Sequence, residues 1–201
     1  METRVALERQ AAVERRPGRD LCEVGDLDSD EICALLAAAR GLLPLAAGEG
    51  PRGVLALRGA VILRIFAEPS TRTRVSFEVA AARLGAQLID FSADAASSAA
   101  KGETELDALR NLDAMGFDAA IVRDRRDGHA RWLSTQLRAR IINAGDGVNE
   151  HPTQALLDAL TILEAFGRDA VPGALSGLRV AICGDLRHGR VGRSNLRLLR
   201  T

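Results

Sequence analysis

Ser70-Thr71-Arg72-Thr73-Arg74 gathers three hydroxyls and two guanidinium groups within five residues. An apolar run, Gly59 to Phe66, precedes it and reads as a buried strand. Val75 to Leu84 follows, with apolar residues at helical spacing. Pro69 closes the strand, and either Ser70 or Thr71 can cap the helix. Hydroxyls, backbone N–H groups and arginines at a helix N-terminus make an anion site. Fork-shaped arginine donors suit phosphate oxygens, so the expected ligand is a phosphate or phosphate-like anion.

A second stretch with chemical potential is Asn143-Ala144-Gly145-Asp146-Gly147-Val148-Asn149-Glu150-His151-Pro152-Thr153-Gln154. Its glycines permit tight turns, and Pro152 suits the first turn of a helix. His151 and Gln154 are three apart and can share one side of that turn. Arg123 ends a buried run, Ala119 to Val122, at the C-terminal end of a strand, while Arg125 and Arg126 read as solvated. Of 27 basic residues, Lys101 is the one lysine, which leaves 26 arginines. Ammonium and guanidinium are not interchangeable at a tight site, so Lys101 is a functional candidate on composition alone.

The elements that position these residues alternate: strand 59–66, helix 73–84, strand 87–91, helix 103–115, strand 118–123, helix 129–137 and strand 140–143. That order predicts an α/β fold, a parallel sheet with helices on both faces. Ligands bind such sheets beyond the C-terminal strand ends, where the loops above fall. Residues 1–20 read as a polar leader, 21–150 as the anion-binding domain and 151–168 as an interdomain helix. Asp28 or Ser29 caps a helix through Ile32, Leu35, Leu36 and Leu42. Residues 169–201 read as the start of a second α/β domain, with Val180-Ala181-Ile182-Cys183 as its first strand and a helix from about Val191. The remaining domain is expected to lie beyond Thr201. The turn Gly184-Asp185-Leu186-Arg187-His188-Gly189-Arg190 lacks the G-x-G-x-x-G of a dinucleotide site.

Bulk properties exclude several classes. A net charge of zero and six aromatic residues give no basis for a nucleic-acid or anionic-membrane partner. No apolar run approaches the ~20 residues of a membrane span, and the N-terminus lacks the apolar core of a signal peptide. Cys22, Cys33 and Cys183 are odd in number and lack metal-ligand spacing, which argues for reduced thiols in a cytoplasmic protein and for no metal.

Phe66-x-Glu68-Pro69-Ser70-Thr71-Arg72-Thr73-Arg74-x-Ser76-Phe77-Glu78 resembles the carbamoyl-phosphate loop of the aspartate and ornithine carbamoyltransferase family. Lys101-Gly102-Glu103-Thr104 and His151-Pro152-Thr153-Gln154 look more like its aspartate branch. The resemblance implies carbamoyl transfer from carbamoyl phosphate to L-aspartate, in pyrimidine synthesis and without a cofactor. It implies that Ser70, Thr71, Arg72, Thr73 and Arg123 hold phosphate, and that His151, with Arg72 and Thr73, polarises the carbamoyl carbonyl. Gln154 would hold the carbamoyl amide. Arg190, in Gly-Asp-Leu-x-x-Gly-Arg, would contact the acceptor carboxylate. Lys101 and Ser97 (or Ser98) would reach the active site of a neighbouring subunit in a homotrimer, Lys101 serving both substrates. A regulatory partner chain is left open. The family often has His-Pro after the arginine matched by Arg123, whereas Asp124-Arg125 stands here. Two alternatives stay open: a catalytically silent carbamoyl-phosphate-binding or assembly subunit, and a related carbamoyltransferase with another amine acceptor.

Overall fold

The protein is described by a computed structural model over residues 18–49, 56–91 and 104–201. Four strands, β1 (Val61–Phe66), β2 (Gln87–Phe91), β3 (Ala119–Asp124) and β4 (Arg140–Asp146), form a parallel sheet in the order β2-β1-β3-β4. Parallel pairing requires crossovers, and helices supply them. Helix α1 spans Ser29–Gly41 and α2 Leu43–Ala47. Helix α3 spans Thr71–Leu84, α4 Glu105–Ala114 and α5 His129–Gln136. Helix α6 spans Pro152–Ala165 and α7 Arg190–Leu198.

Alternation along the strands separates two cores. Leu63, Ile65, Ala120, Val122 and Ile141 face α4 and α5, packing with Leu109, Ala130 and Leu133. Ile62 and Ile121 face the other way, with Phe77 of α3 packed against them. Both faces are therefore covered by helices, which explains the near-continuous apolar character of the strands. A buried arginine interrupts that character in β1. Arg64, in the middle of β1, is 2 % exposed and forks onto Asp90 of β2. Its Nη1 also donates to the Arg74 carbonyl at 3.0 Å, which pins the first turn of α3 to the sheet.

Asp28 caps α1 through a reciprocal box with Glu31: Glu31 N donates to Asp28 Oδ1 at 2.8 Å, and Asp28 N donates to Glu31 Oε2 at 2.9 Å. Ile32 and Leu36 of α1, Ala155, Ala159 and Leu163 of α6, and Leu198 of α7 form a third cluster. The expected strand at Val180–Cys183 is not formed: these residues carry no strand pairing, and Val180 is exposed. A strand needs a partner edge, and among the described residues no other strand lies beside it. The helix expected from about Val191 is present as α7, starting one residue earlier. Among the described residues no helix is long and apolar enough to cross a membrane.

Candidate active site

The sheet order makes β1 the strand whose successors depart in opposite directions, β2 to one side and β3 to the other. The crevice beyond the C-terminal ends of β1 and β3 is thus the place for a ligand. Phe66, the last residue of β1, is in register with Arg123 of β3. The β3–β4 pairing shifts between Val122 and Asp124, so Arg123 stands at an irregularity of the kind that re-aims a side chain.

Arg123 is 8 % exposed. Its Nη2 donates to Glu68 Oε1 at 2.9 Å, its Nη1 to the Ala144 carbonyl at 3.0 Å and to Thr73 Oγ1 at 3.5 Å. Its buried Nε has no hydrogen-bond partner among the described residues. Burial, then the charge of Arg190, pushes this guanidinium below its ordinary range, partly offset by Glu68. Arg190, the first residue of α7, forks onto the same carboxylate, with Nη1 to Glu68 Oε2 at 2.9 Å and Nη2 to Oε1 at 3.0 Å, and Nη1 also reaches the Gly147 carbonyl at 3.0 Å. Burial would raise the Glu68 carboxyl, yet its bonds to Arg190 and Arg123 hold it below the usual carboxylate range. Glu68 is therefore an anion shared by two arginines. Its role is not legible in the sequence, because a carboxylate in an anion-binding loop reads as a counter-signal until its partners are seen.

Gly145 makes this pairing sterically feasible. Its φ is +116°, and a Cβ there would fall 3.0 Å from Arg190 Nε and 3.1 Å from Arg123 Nη1. Gly145→Ala is expected to cost about 1–3 kcal/mol of stability in urea denaturation, from backbone strain alone. It should also weaken phosphate binding, read by calorimetric titration, because the two guanidinium groups are forced apart.

At the N-terminus of α3, Ser70 occupies the cap position but its side chain does not cap the helix. Its Oγ donates instead to Thr73 Oγ1 at 3.0 Å. Thr73 Oγ1 thus accepts from Ser70 and Arg123, leaving its own proton to donate elsewhere. The uncapped helix terminus directs backbone N–H groups and positive potential towards the cleft. Arg72 lines this cleft, whereas Arg74 turns to Asp90 at 3.1 Å. Only one of the two clustered arginines therefore faces the cleft. Thr71 lines a neighbouring apolar groove.

His151 closes the far wall as the residue before α6, with Pro152 at the first helical position as expected. It is 7 % exposed, and its pKa is pushed down to about 4, by burial first and then by the charges of Arg123 and Arg190. The ring is neutral at physiological pH. Thr153 Oγ1 lies 3.2 Å from Nδ1, and the tautomer in which the threonine donates there leaves the ring proton on Nε2. The His151 amide donates to Ser194 Oγ of α7 at 2.9 Å, and Ser194 in turn donates to buried Glu150 at 3.2 Å. Gln154 Nε2 is tied to Asp158 Oδ1 at 2.8 Å, which leaves its Oε1 as the end free to accept from a ligand amide.

Ser70, Arg72, Thr73, Arg123, His151, Gln154 and Arg190 thus line one cleft of about 570 Å³. Ser97, Ser98 and Lys101 lie outside the described residues. Arg126, expected to be solvated, is committed to ion pairs: Nη1 and Nη2 each meet a Glu105 oxygen at 2.8 Å, and Nε and Nη2 meet Asp124 at 2.8 and 2.7 Å. Glu105, Asp124 and His129 have ligand atoms within 4.8 Å of one another, as a metal site would, but the Arg126 guanidinium stands among them and satisfies them.

Residues 19–164 match the carbamoyl-phosphate-binding domain of the aspartate/ornithine carbamoyltransferases. The chain belongs to that family. Aspartate carbamoyltransferase catalytic subunits are among its relatives: that of Sorangium cellulosum is 48% identical over 185 residues, covering 92% of this chain and 55% of the relative. That of Gluconobacter oxydans is 50% identical over 173 residues, covering 86% and 50%. The crystal structure of aspartate transcarbamoylase from Trypanosoma cruzi in complex with carbamoyl phosphate and aspartate superposes with a TM-score of 0.79 at 36% identity, covering 90% of this chain and 57% of that one. The chain therefore spans about half the length of the relatives it matches.

Proposed function

We propose that this chain supplies the carbamoyl-phosphate site of an aspartate carbamoyltransferase. The reaction moves the carbamoyl group of carbamoyl phosphate to the amino group of L-aspartate, giving N-carbamoyl-L-aspartate and phosphate for pyrimidine biosynthesis in the cytoplasm. The observation that carries this reading is the meeting, in one cleft, of the uncapped α3 terminus, buried Arg123 and neutral His151.

Phosphate oxygens would be held by the α3 N–H groups, by the Ser70 and Thr73 hydroxyls, and by Arg72 and Arg123. The His151 N–H would donate to the carbamoyl oxygen as charge develops there, with Arg72 and Thr73 beside it. Such donors act because they are already in place and need little rearrangement during reaction. Gln154 Oε1 would accept from the carbamoyl NH2 and orient the carbon towards the incoming amine. The amine attacks the carbamoyl carbon, the bond from that carbon to the bridging phosphate oxygen breaks, and phosphate leaves with that electron pair and takes up the proton the amine nitrogen gives up. No covalent intermediate on the protein is needed. Arg190 stands on the acceptor side, where it would meet the aspartate carboxylate.

Lys101 and Ser97, by family resemblance, would enter from a neighbouring subunit of a homotrimer. The half-exposed Val75 and Val79 on α3, beside Leu42 and Leu45, support a subunit contact next to the cleft, since an apolar groove of this kind favours burial. Carbamoyl transfer should be assayed on the protein expressed from its complete reading frame, with L-aspartate and L-ornithine as rival acceptors. Aspartate-dependent product is expected. Binding of carbamoyl phosphate without transfer to either amine would refute the assignment.

A further inference from the structure

Arg64 is a charged residue in the middle of a buried strand, and stability alone does not account for it. A buried ion pair is often no more stabilising than apolar side chains of similar volume, because each charge loses its water. What the pair adds is direction. Arg64 and Asp90 stand opposite each other in the β1–β2 register, so their side chains share one face of the sheet. That face is covered by α3, where Phe77 packs against Ile62 and Ile121. Apolar contact is non-directional, so it holds the helix on the sheet without fixing its position along its own axis.

Arg64 fixes that position. Its Nε and Nη2 fork onto the two Asp90 oxygens, while Nη1 donates to the Arg74 carbonyl at 3.0 Å and to Glu78 Oε2 at 3.4 Å. The Arg74 amide donates in turn to the Ser70 carbonyl at 3.0 Å. A run of hydrogen bonds thus leads from the sheet, through one residue of α3, to the residue at its cap. Ser70 then meets Thr73 in the cleft. Asp90 also accepts from Arg74 Nη2 at 3.1 Å, which holds that second arginine against β2.

We infer that Arg64 is a positioning residue for the anion site: locked by Asp90, it sets the depth at which the first turn of α3 meets a bound phosphate. This rests on the carbamoyl-phosphate reading above and adds to it a residue that touches no substrate. The groups it places, Ser70, Arg72 and Thr73, belong to α3 and its cap, whereas Arg190 is carried by α7. Loss of Arg64 therefore falls on carbamoyl phosphate and spares the acceptor.

The test uses the full-length protein as wild type, Arg64→Met, Arg64→Lys and the double variant Arg64→Met/Asp90→Asn. The double variant removes both charges of the pair, leaves no unpaired carboxylate and carries the test where Arg64→Met does not fold. Calorimetric titration with carbamoyl phosphate and with inorganic phosphate should show affinity falling roughly tenfold in Arg64→Met and in the double variant, the loss expected when one directional bond goes and the donors it places shift. Arg64→Lys should recover part of it. The urea midpoint of the double variant should stay close to that of wild type. KM for L-aspartate at saturating carbamoyl phosphate should change less than about twofold. A double variant that binds carbamoyl phosphate as wild type does overturns the assignment, as does an equal rise in KM for both substrates or an affinity lost only in step with the urea midpoint. A wild-type protein that binds neither carbamoyl phosphate nor phosphate overturns the site reading and this assignment together.

Discussion

Arg123→Ala is expected to weaken carbamoyl-phosphate binding about 100-fold or more, because removing one member of a buried, hydrogen-bonded charge set costs roughly 2–5 kcal/mol. The guanidinium is buried at the switch point, and it reaches Glu68, the Ala144 carbonyl and Thr73 at once. Its loss takes a cation from the anion site and also leaves Glu68 to Arg190 alone, which makes the cleft more negative. Arg123→Lys should not restore binding, since a compact ammonium does not reproduce a guanidinium fork that reaches three separate acceptors. Calorimetric titration with carbamoyl phosphate, and with inorganic phosphate as a control, measures both variants. Affinity within about threefold of wild type in Arg123→Ala would remove Arg123 from the phosphate site, since that is well under the 1.4 kcal/mol of a tenfold change.

The sequence made the frame legible because strands buried on both faces read as apolar runs and amphipathic helices read at helical spacing. The expected and observed β1 to β4 agree to within a few residues at each end. β4 alone runs past its expected end at Asn143, through Ala144-Gly145-Asp146, so that the first third of the second motif is strand rather than loop. What stayed hidden depends on partners distant in sequence. Arg64 looks like an error in a buried strand until Asp90, 26 residues away, is seen to hold it. Glu68 is given meaning by Arg190, 122 residues later. The division of labour between Arg72 and Arg74 was available in principle, because two residues apart on a helix is about 200° of rotation and the side chains cannot share a ligand. At Val180–Cys183 local propensity favoured a strand that no partner edge among the described residues supports, and propensity without pairing does not make a strand.

His151→Asn should separate the electrostatic and catalytic consequences of a buried neutral imidazole. The folded state holds this ring near pKa 4 against an ordinary value of 6.5. An unfolded chain therefore binds the proton more readily at every pH between those values, and stability falls as pH drops from about 6.5 towards 4. It is fully present above 6.5. The wild-type advantage over His151→Asn in urea denaturation should shrink by about 3 kcal/mol between pH 7.5 and pH 4, the integrated linkage for a shift of this size. His129, also held below its ordinary value by burial first, is common to both proteins and cancels in the difference. In the proposed role, a ring neutral across the physiological range would donate a hydrogen bond to the carbamoyl oxygen and would not carry protons. Hence kcat should show no inflection from His151 between pH 5.5 and 8, while the loss of the aligned donor should lower kcat about 100-fold, the effect of removing one oxyanion contact. A wild-type kcat that titrates near the ordinary histidine value, and loses that titration in His151→Asn, would instead mean that the ring changes charge during turnover. Burial between Arg123 and Arg190 opposes that charge, so the two outcomes distinguish a preorganised dipole from a general base.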